Sequence, residues 1–264
     1  MAAAAPPRVA MSAPLLVVDA LSKSFGGVHA LRDVSFTVTP GETVAIIGPN
    51  GAGKTTCFNV IHGELAPDRG DVRFDGRTLL RKPPHAIAHR GVGRTFQVAA
   101  TFASMTVRES VALALVAREG HDRAAVAPML TTRSAAIDAL LIRLRIDDLA
   151  DAHCAALAYG DAKRLELAMA LALTPRLLLM DEPTAGMTPR SRRDLMELAT
   201  GLAERDNVAV LFTEHDMDIV FGFADRVLVL DRGALIAQGA PADIKADPRV
   251  KAVYLGLDEP VAHR

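Results

Sequence analysis

The chain has 264 residues, half of them apolar, a formal net charge of −1 and two cysteines. That length suits one large α/β domain or a core with an inserted subdomain, and the apolar share allows a sizeable buried core. The near-zero charge, the scarcity of aromatic residues and the absence of Trp leave no electrostatic or base-stacking footprint for nucleic acid.

Residues 1–12 are rich in Ala and Pro, carry a lone Arg8, and lack a basic segment followed by a long apolar stretch. They read as a disordered leader rather than a secretion signal, and Met11 offers a second start. No run of ~18 apolar residues occurs, so no segment is expected to span a bilayer. Leu15 to Leu21 reads as a strand, Ser22 to Gly27 as a turn, and Val34 to Val38 as a half-buried strand by its alternation. Pro40-Gly41-Glu42 turns the chain into Thr43 to Ile47, a continuous apolar run of the buried-strand type.

That run leads into Gly48-Pro49-Asn50-Gly51-Ala52-Gly53-Lys54-Thr55-Thr56, which fits G-x-x-x-x-G-K-[ST], the phosphate-binding P-loop. Glycines let the backbone wrap closely and aim N–H groups at phosphate oxygens. Lys54 brings a positive charge to the β- and γ-phosphates, and the Thr55 hydroxyl is a ligand for Mg²⁺. Thr55 to Ile61 reads as the helix whose N-terminus completes an anion site. Strand, motif and helix together predict that a nucleoside triphosphate is bound.

Pro67 to Gly70 is a turn, Asp71 to Phe74 a short strand, and Val92 to Phe96 another that ends at Gln97. From Thr106 to about Ala172 the pattern turns helical, with helices over Thr106 to Arg118 and Ser134 to Arg145 and a polar, irregular loop from His121 to Arg133. Leu177 to Met180 is a second buried strand. Thr188 is placed to cap a helix with Pro189 at its first position, running to about Glu204. Val208 to Thr213 is a third buried strand. Val227 to Leu230 and Ala234 to Gln238 flank the turn Asp231-Arg232-Gly233, and two short helices follow, broken before Pro248. Cys57 and Cys154 stand far apart without metal or redox spacing and read as buried small hydrophobes. His85 and His89 lack a long helix, a carboxylate or a Cys to join them as metal ligands.

The predicted fold is therefore α/β: a P-loop NTPase core with a mainly parallel central sheet, an antiparallel β subdomain and a helical insertion. The core spans residues 13–97 and 173–264, and the insertion 98–172. In open parallel sheets, ligands bind beyond the carboxyl ends of the strands. Four strands here lead into polar groups: the P-loop, Gln97, Asp181-Glu182 and Glu214-His215. Asp181 after an apolar run fits a carboxylate that helps hold Mg²⁺, and Glu182 stands where a general base for water belongs. His215 is placed to sense the γ-phosphate.

The sequence resembles the ATP-binding subunits of ABC transporters from about Leu15 to Gly256. Leu157-Ala158-Tyr159-Gly160-Asp161 corresponds to their signature motif, Leu-Ser-Gly-Gly-Gln. By that resemblance Phe25 stacks on adenine, Gln97 is the Q-loop glutamine and a Mg²⁺ ligand, Ala185 to Thr188 is the D-loop, and His215 is the switch histidine. Leu-Ala-Tyr-Gly, Gly91 to Gln97, Glu182 to Met187, Glu214 to Met217 and the tail from Pro241 to Gly256 look like the branched-chain (hydrophobic) amino acid importer branch. The resemblance implies an ATPase at the cytoplasmic face of the membrane, docked on two permease subunits and served by an external substrate-binding protein. It also implies a dimer, homo- or heteromeric, in which each ATP is held by one subunit's P-loop and the other's Leu157–Asp161 segment.

Three residues depart from the family pattern: Ala158 for the signature Ser, Asp161 for the usual Gln or Glu, and Thr188 for the D-loop Asp. Asp161 is expected to point away from phosphate and cap the signature helix. These departures leave two alternatives beside an active importer subunit, namely a catalytically weakened regulatory subunit and a non-transport ABC ATPase acting on nucleic acid.

Overall fold

The computed structural model describes residues 13–95, 103–120 and 123–255. Two sheets carry the architecture. The six-stranded sheet has the order β10-β9-β3-β8-β7-β6, built from β3 (Thr43–Ile47), β6 (Val92–Thr95), β7 (Leu177–Asp181), β8 (Ala209–Thr213), β9 (Arg226–Asp231) and β10 (Ala234–Gly239). All neighbours in it run parallel except the β9–β10 hairpin. The second sheet is antiparallel, in the order β2-β1-β4-β5, from β1 (Leu16–Phe25), β2 (Val28–Val38), β4 (Arg69–Phe74) and β5 (Arg77–Thr78).

The central strands β3, β7 and β8 are buried throughout and mostly apolar because both faces of their sheet are covered. Successive side chains alternate between two cores. Val44, Ile46, Leu177, Leu179 and Leu211 face a cluster shared with the antiparallel sheet and with Phe58 and Ile61 of α1 (Lys54–Ile61). Ala45, Ile47, Leu178, Met180, Val210 and Phe212 face the opposite cluster. Between the two parallel strands β6 and β7 the chain forms α3 (Val107–Glu119), α4 (Val126–Thr132), α5 (Ser134–Leu144) and α6 (Tyr159–Ala172), which contribute to this second cluster. The remaining helices are α2 (Pro84–Ala88), α7 (Pro189–Asp206), α8 (Met217–Phe223), α9 (Pro241–Ala246) and α10 (Pro248–Leu255).

Local sequence signals explain several boundaries. Thr106 caps α3 through a reciprocal capping box with Glu109. Thr188 caps α7, accepting from Ser191 N–H at 3.3 Å, with Pro189 in the first turn as expected. The α9–α10 break falls before Pro248. Cys57 and Cys154 are buried, and burial alone pushes the Cys57 thiol up to about 12.

Two expected boundaries are corrected. Ser22 to Phe25 is not a turn but the end of β1, and only Gly26-Gly27 forms the hairpin turn. Register shifts between Val18 and Ser24 absorb the irregular alternation that makes this stretch look like a loop. The loop expected over His121 to Arg133 holds a 3-10 turn at Arg123–Ala125 and then α4, because Met129 is buried against the helical core.

Candidate functional site

The P-loop follows β3 at the middle of the parallel sheet. Gly48 and Gly53 are required by close backbone approach. A Cβ at Gly48 would lie 2.1 Å from the Leu230 carbonyl oxygen, and one at Gly53 2.3 Å from that of Ala30. The loop from Asn50 to Thr56, with Ala30 and Glu182, encloses a cavity of ≈ 290 Å³. Lys54 is buried and turned back into the loop, where its Nζ donates to the Gly48 carbonyl at 2.7 Å and the Pro49 carbonyl at 3.2 Å. Burial holds its pKa below the ordinary 10.5, and the negative charges of Glu182 and Asp181 partly offset that. A phosphate chain fits this cradle: glycine backbone, a poised cation and the N-terminus of α1 converge on one cavity.

Asp181 ends β7 and pairs in register with Thr213 of β8. The Thr213 hydroxyl donates to Asp181 Oδ1 at 2.7 Å. Arg94, from β6, sets Nη2 3.5 Å from Asp181 Oδ2 and donates to Asn59 Oδ1 at 2.8 Å, while its Nη1 is 3.2 Å from Glu64 Oε1. Asp181 is thus a buried carboxylate held from both sides. With the Thr55 hydroxyl at the exposed rim it supplies the hard oxygen donors that suit Mg²⁺, which takes few protein ligands and relies on substrate phosphates for more.

Glu182 lines the P-loop cavity, and its Oε1 lies 2.8 Å from His215 Nε2. The imidazole donates to this carboxylate in the tautomer that carries its proton on Nε2. Glu182 has a φ of 47°, in the left-handed region that non-glycine residues avoid. Such strain costs roughly 1–3 kcal/mol and persists only where the surroundings over-determine it. Here the Glu182 N–H donates to the Thr213 hydroxyl at 2.9 Å and faces the Thr213 carbonyl at 3.2 Å.

The structure therefore brings Lys54, Thr55, Asp181, Glu182 and His215 to adjacent strand ends. Phe25 stands apart at the tip of the β1–β2 hairpin, 46% exposed, with Lys23 Nζ 5.4 Å from its ring centroid. Gln97 lies outside the described residues. The segment Leu157–Asp161 does not line the P-loop cavity. It opens α6 and packs on the turn before α7 and on the first turn of α7, where a Cβ at Gly160 would be 3.6 Å from Met187 Cε and 3.9 Å from Ser191 Cβ.

Asp161 does not cap that helix. Ala158 occupies the cap position and makes no side-chain bond, while Asp161 sits inside the first turn, 3.9 Å from Arg164. The chain reaches helical φ/ψ already at Tyr159, which leaves Asp161 too far along to serve as cap; it acts on the helix dipole instead. Sequence reasoning missed Arg94, Asn59 and Thr213 around Asp181. Among the described residues there is no cluster of three or more His, Cys, Asp or Glu side chains able to hold a metal.

Comparison with known proteins fixes the kinship. The ABC transporter family pattern matches residues 31–185, more than half of the chain. The chain belongs to the ABC transporter family. A second pattern, for branched-chain amino acid ATP-binding cassette transporters, matches residues 234–259. The high-affinity branched-chain amino acid transport ATP-binding protein BraF of Pseudomonas aeruginosa is 38% identical over 93% of this chain and 99% of its own length. LivG of Escherichia coli, of the same description, is 39% identical over the same shares. An ATP-binding cassette of an ABC transporter solved in its ADP conformation superposes with a TM-score of 0.81 at 30% identity, covering 93% of this chain and all of that one. A nucleotide-free cassette gives 0.80 at 30% identity over 92% of this chain and 99% of that one. The expected α/β fold with its parallel-rich and antiparallel sheets is that of a nucleotide-binding transport ATPase. No helix among the described residues is long and apolar enough to cross a membrane.

Proposed function

We propose that the chain is the ATP-hydrolysing subunit of an importer for branched-chain amino acids or related small amides, working through separate permease subunits. The observation that carries the hydrolytic part is the Glu182–His215 pair, 2.8 Å apart, with Glu182 lining the P-loop cavity. The similarity to BraF and LivG over nearly the whole chain supports the cargo class.

In this reading the P-loop backbone and Lys54 bind the phosphates, and Phe25 packs on the adenine. Thr55, Asp181 and Gln97 hold Mg²⁺, which when bound neutralises charge on the β- and γ-phosphates. Glu182 accepts the proton of the attacking water, a contribution of ~10²–10⁴ in rate. His215 orients that carboxylate through Nε2 and reaches toward the γ-phosphate. The Leu157–Asp161 segment starts α6 and does not line this chain's own P-loop cavity, which supports its use by a second ATPase subunit in trans. The pair of subunits sits at the cytoplasmic face of the membrane, peripheral to the permeases, with a substrate-binding protein outside.

The test is the complex isolated with its permeases and binding protein in lipid. ATP hydrolysis stimulated by leucine, isoleucine or valine on the binding protein, and lost in Glu182→Gln, is the expected result. Stimulation by none of these or by small amides, with hydrolysis intact, removes the cargo class. Parental turnover in Glu182→Gln removes the base assignment.

A further inference from the structure

Glu214 is a buried acid for which the hydrolytic scheme has no task. It follows the last residue of β8 and is 4% exposed. Its Oε1 accepts two hydrogen bonds from Thr184, one from the N–H at 2.9 Å and one from the hydroxyl at 2.7 Å. Its Oε2 accepts from the N–H of His215 at 3.2 Å. Thr184, 1% exposed, lies two residues beyond Glu182. Glu182 and His215 meet again through their side chains. The contacts thus close a ring: Glu182 to Thr184 along the chain, across to Glu214, on to His215, and back across to Glu182.

We propose that Glu214 is a positioning residue for ATP hydrolysis. It ties the turn after β7 to the turn after β8, so that Glu182 and His215 keep one separation and Glu182 keeps its left-handed backbone. The inference rests on the reading of Glu182 as general base. A residue that only satisfied buried donors would need no particular relation to the catalytic pair. Glu214 instead grips both of its members, His215 directly and Glu182 through the next turn of chain. The chemistry also asks for a carboxylate. Three donors converge on it, and both of its oxygens accept. A glutamine there still accepts from Thr184 but turns an N–H₂ toward the His215 N–H, so it opens the ring on the histidine side alone.

The experiment compares Glu214→Gln, Thr184→Val, Thr184→Ser and Glu182→Gln in the complete transporter, measuring kcat and KM for ATP. Glu214 does not line the P-loop cavity. Glu214→Gln is therefore expected to lower kcat by about 10- to 100-fold, as misplacement of a catalytic group does, with KM changed less than about two-fold. Thr184→Val removes the hydroxyl bond and leaves only the N–H bond on that side of the ring, so it should lower kcat several-fold with KM unchanged, while Thr184→Ser, which keeps the hydroxyl, should retain the parental kcat. The double variant Glu214→Gln/Thr184→Val should lose no more than Glu214→Gln alone, because the ring is already broken. Parental turnover in Glu214→Gln while Glu182→Gln is inactive overturns the proposal. So does a KM that rises in step with the fall in kcat. Parental turnover in Glu182→Gln overturns the base reading beneath it. Should Glu214→Gln fail to fold, the two Thr184 variants decide, and equal kcat in Val and Ser overturns the proposal.

Discussion

Arg94 and Asp181 form a buried ion pair, with Nη2 3.5 Å from Oδ2 and the two side chains 6% and 8% exposed. The same guanidinium reaches Asn59 on α1 and Glu64 just beyond it. One arginine therefore ties the helix that follows the P-loop to the strand end that carries Asp181. Removing the cation strands a buried charge, and breaking such a pair costs about 3–5 kcal/mol. Arg94→Met is expected to lose stability of that order in urea unfolding without nucleotide. Asn59→Ala, which leaves both carboxylates paired, should lose less, about 1.5–3 kcal/mol, the value of one hydrogen bond to a charged group. Equal losses in the two variants would show that the ion pair is not what holds this corner.

The glycines of the P-loop should fall into two classes. Gly48 has the Leu230 carbonyl where a Cβ would go, at 2.1 Å, so Gly48→Ala must push the loop off β9. Gly51 has a φ of 80° and nothing within 4 Å of a Cβ, so Gly51→Ala meets only the left-handed backbone penalty, about 1–2 kcal/mol. Titration with a fluorescent ATP analogue is expected to show no binding by Gly48→Ala and measurable binding by Gly51→Ala. Comparable affinities would mean that the loop can yield at Leu230.

The elements that were legible in the sequence are those in which chemistry and local pattern coincide. The P-loop, Asp181, Glu182 and His215 each end an apolar run, and a covered parallel strand has no other place for such groups. Thr188 carries its own cap signal in the Pro189 beside it. The lacing among these groups was not legible. Arg94 meets Asp181 across 87 residues of chain, and Thr213 meets it across 32. Only the β6-β7-β8 strand order makes these pairs neighbours, and a strand order is not written in any one strand. Asp161 was misplaced for a local reason. Asp is a good cap and Ala a poor one, so the signal pointed three residues too late, whereas packing on α7 fixes the helix start at Tyr159. The helix over Val126–Thr132 was hidden because it is short: Val126, Met129 and Leu130 pack on the helical core at helical spacing, but two turns of it give too few apolar positions to stand out from the polar residues around them.

Acid should weaken the joint between the two sheets. Glu42 precedes β3 and accepts from Arg226 Nε at 2.7 Å and from the Thr39 N–H at 2.8 Å, while Arg226 also donates to the Thr37 carbonyl of β2. Burial pushes the Glu42 carboxyl up, but the Arg226 hydrogen bond, the Thr39 N–H and the charge of Arg226 together bring it below its ordinary 4.5. A carboxyl with a depressed folded pKa binds its proton more readily in the unfolded chain. Its stabilisation is therefore fully present above 4.5 and is lost as the pH falls through the lower folded value. Glu42→Gln should melt below the parent near neutral pH, and the gap should close as the medium is acidified below that range. A gap that stays constant with pH would show that Glu42 contributes by packing alone.

The signature helix begins without the cap its position favours. Ala158 has the extended backbone of a cap residue, φ −63° and ψ 151°, but no side-chain oxygen to accept from the first turn of α6. Replacing an N-cap Ser by Ala typically costs ~1 kcal/mol, so the reverse change should return about that much. Ala158→Ser is expected to raise the melting temperature by about 2–4 °C, the shift such an energy gives in a chain near this size. The serine hydroxyl would also stand where a partner's nucleotide is read in the proposed dimer. A stabilised variant with unchanged turnover would make Ala158 a neutral departure from the family pattern. A variant that turns over faster in the complete transporter would mean that the missing hydroxyl limits the site this chain completes for its partner. If neither the melting temperature nor the turnover moves, the first turn of α6 is already satisfied by other means, and the cap argument fails.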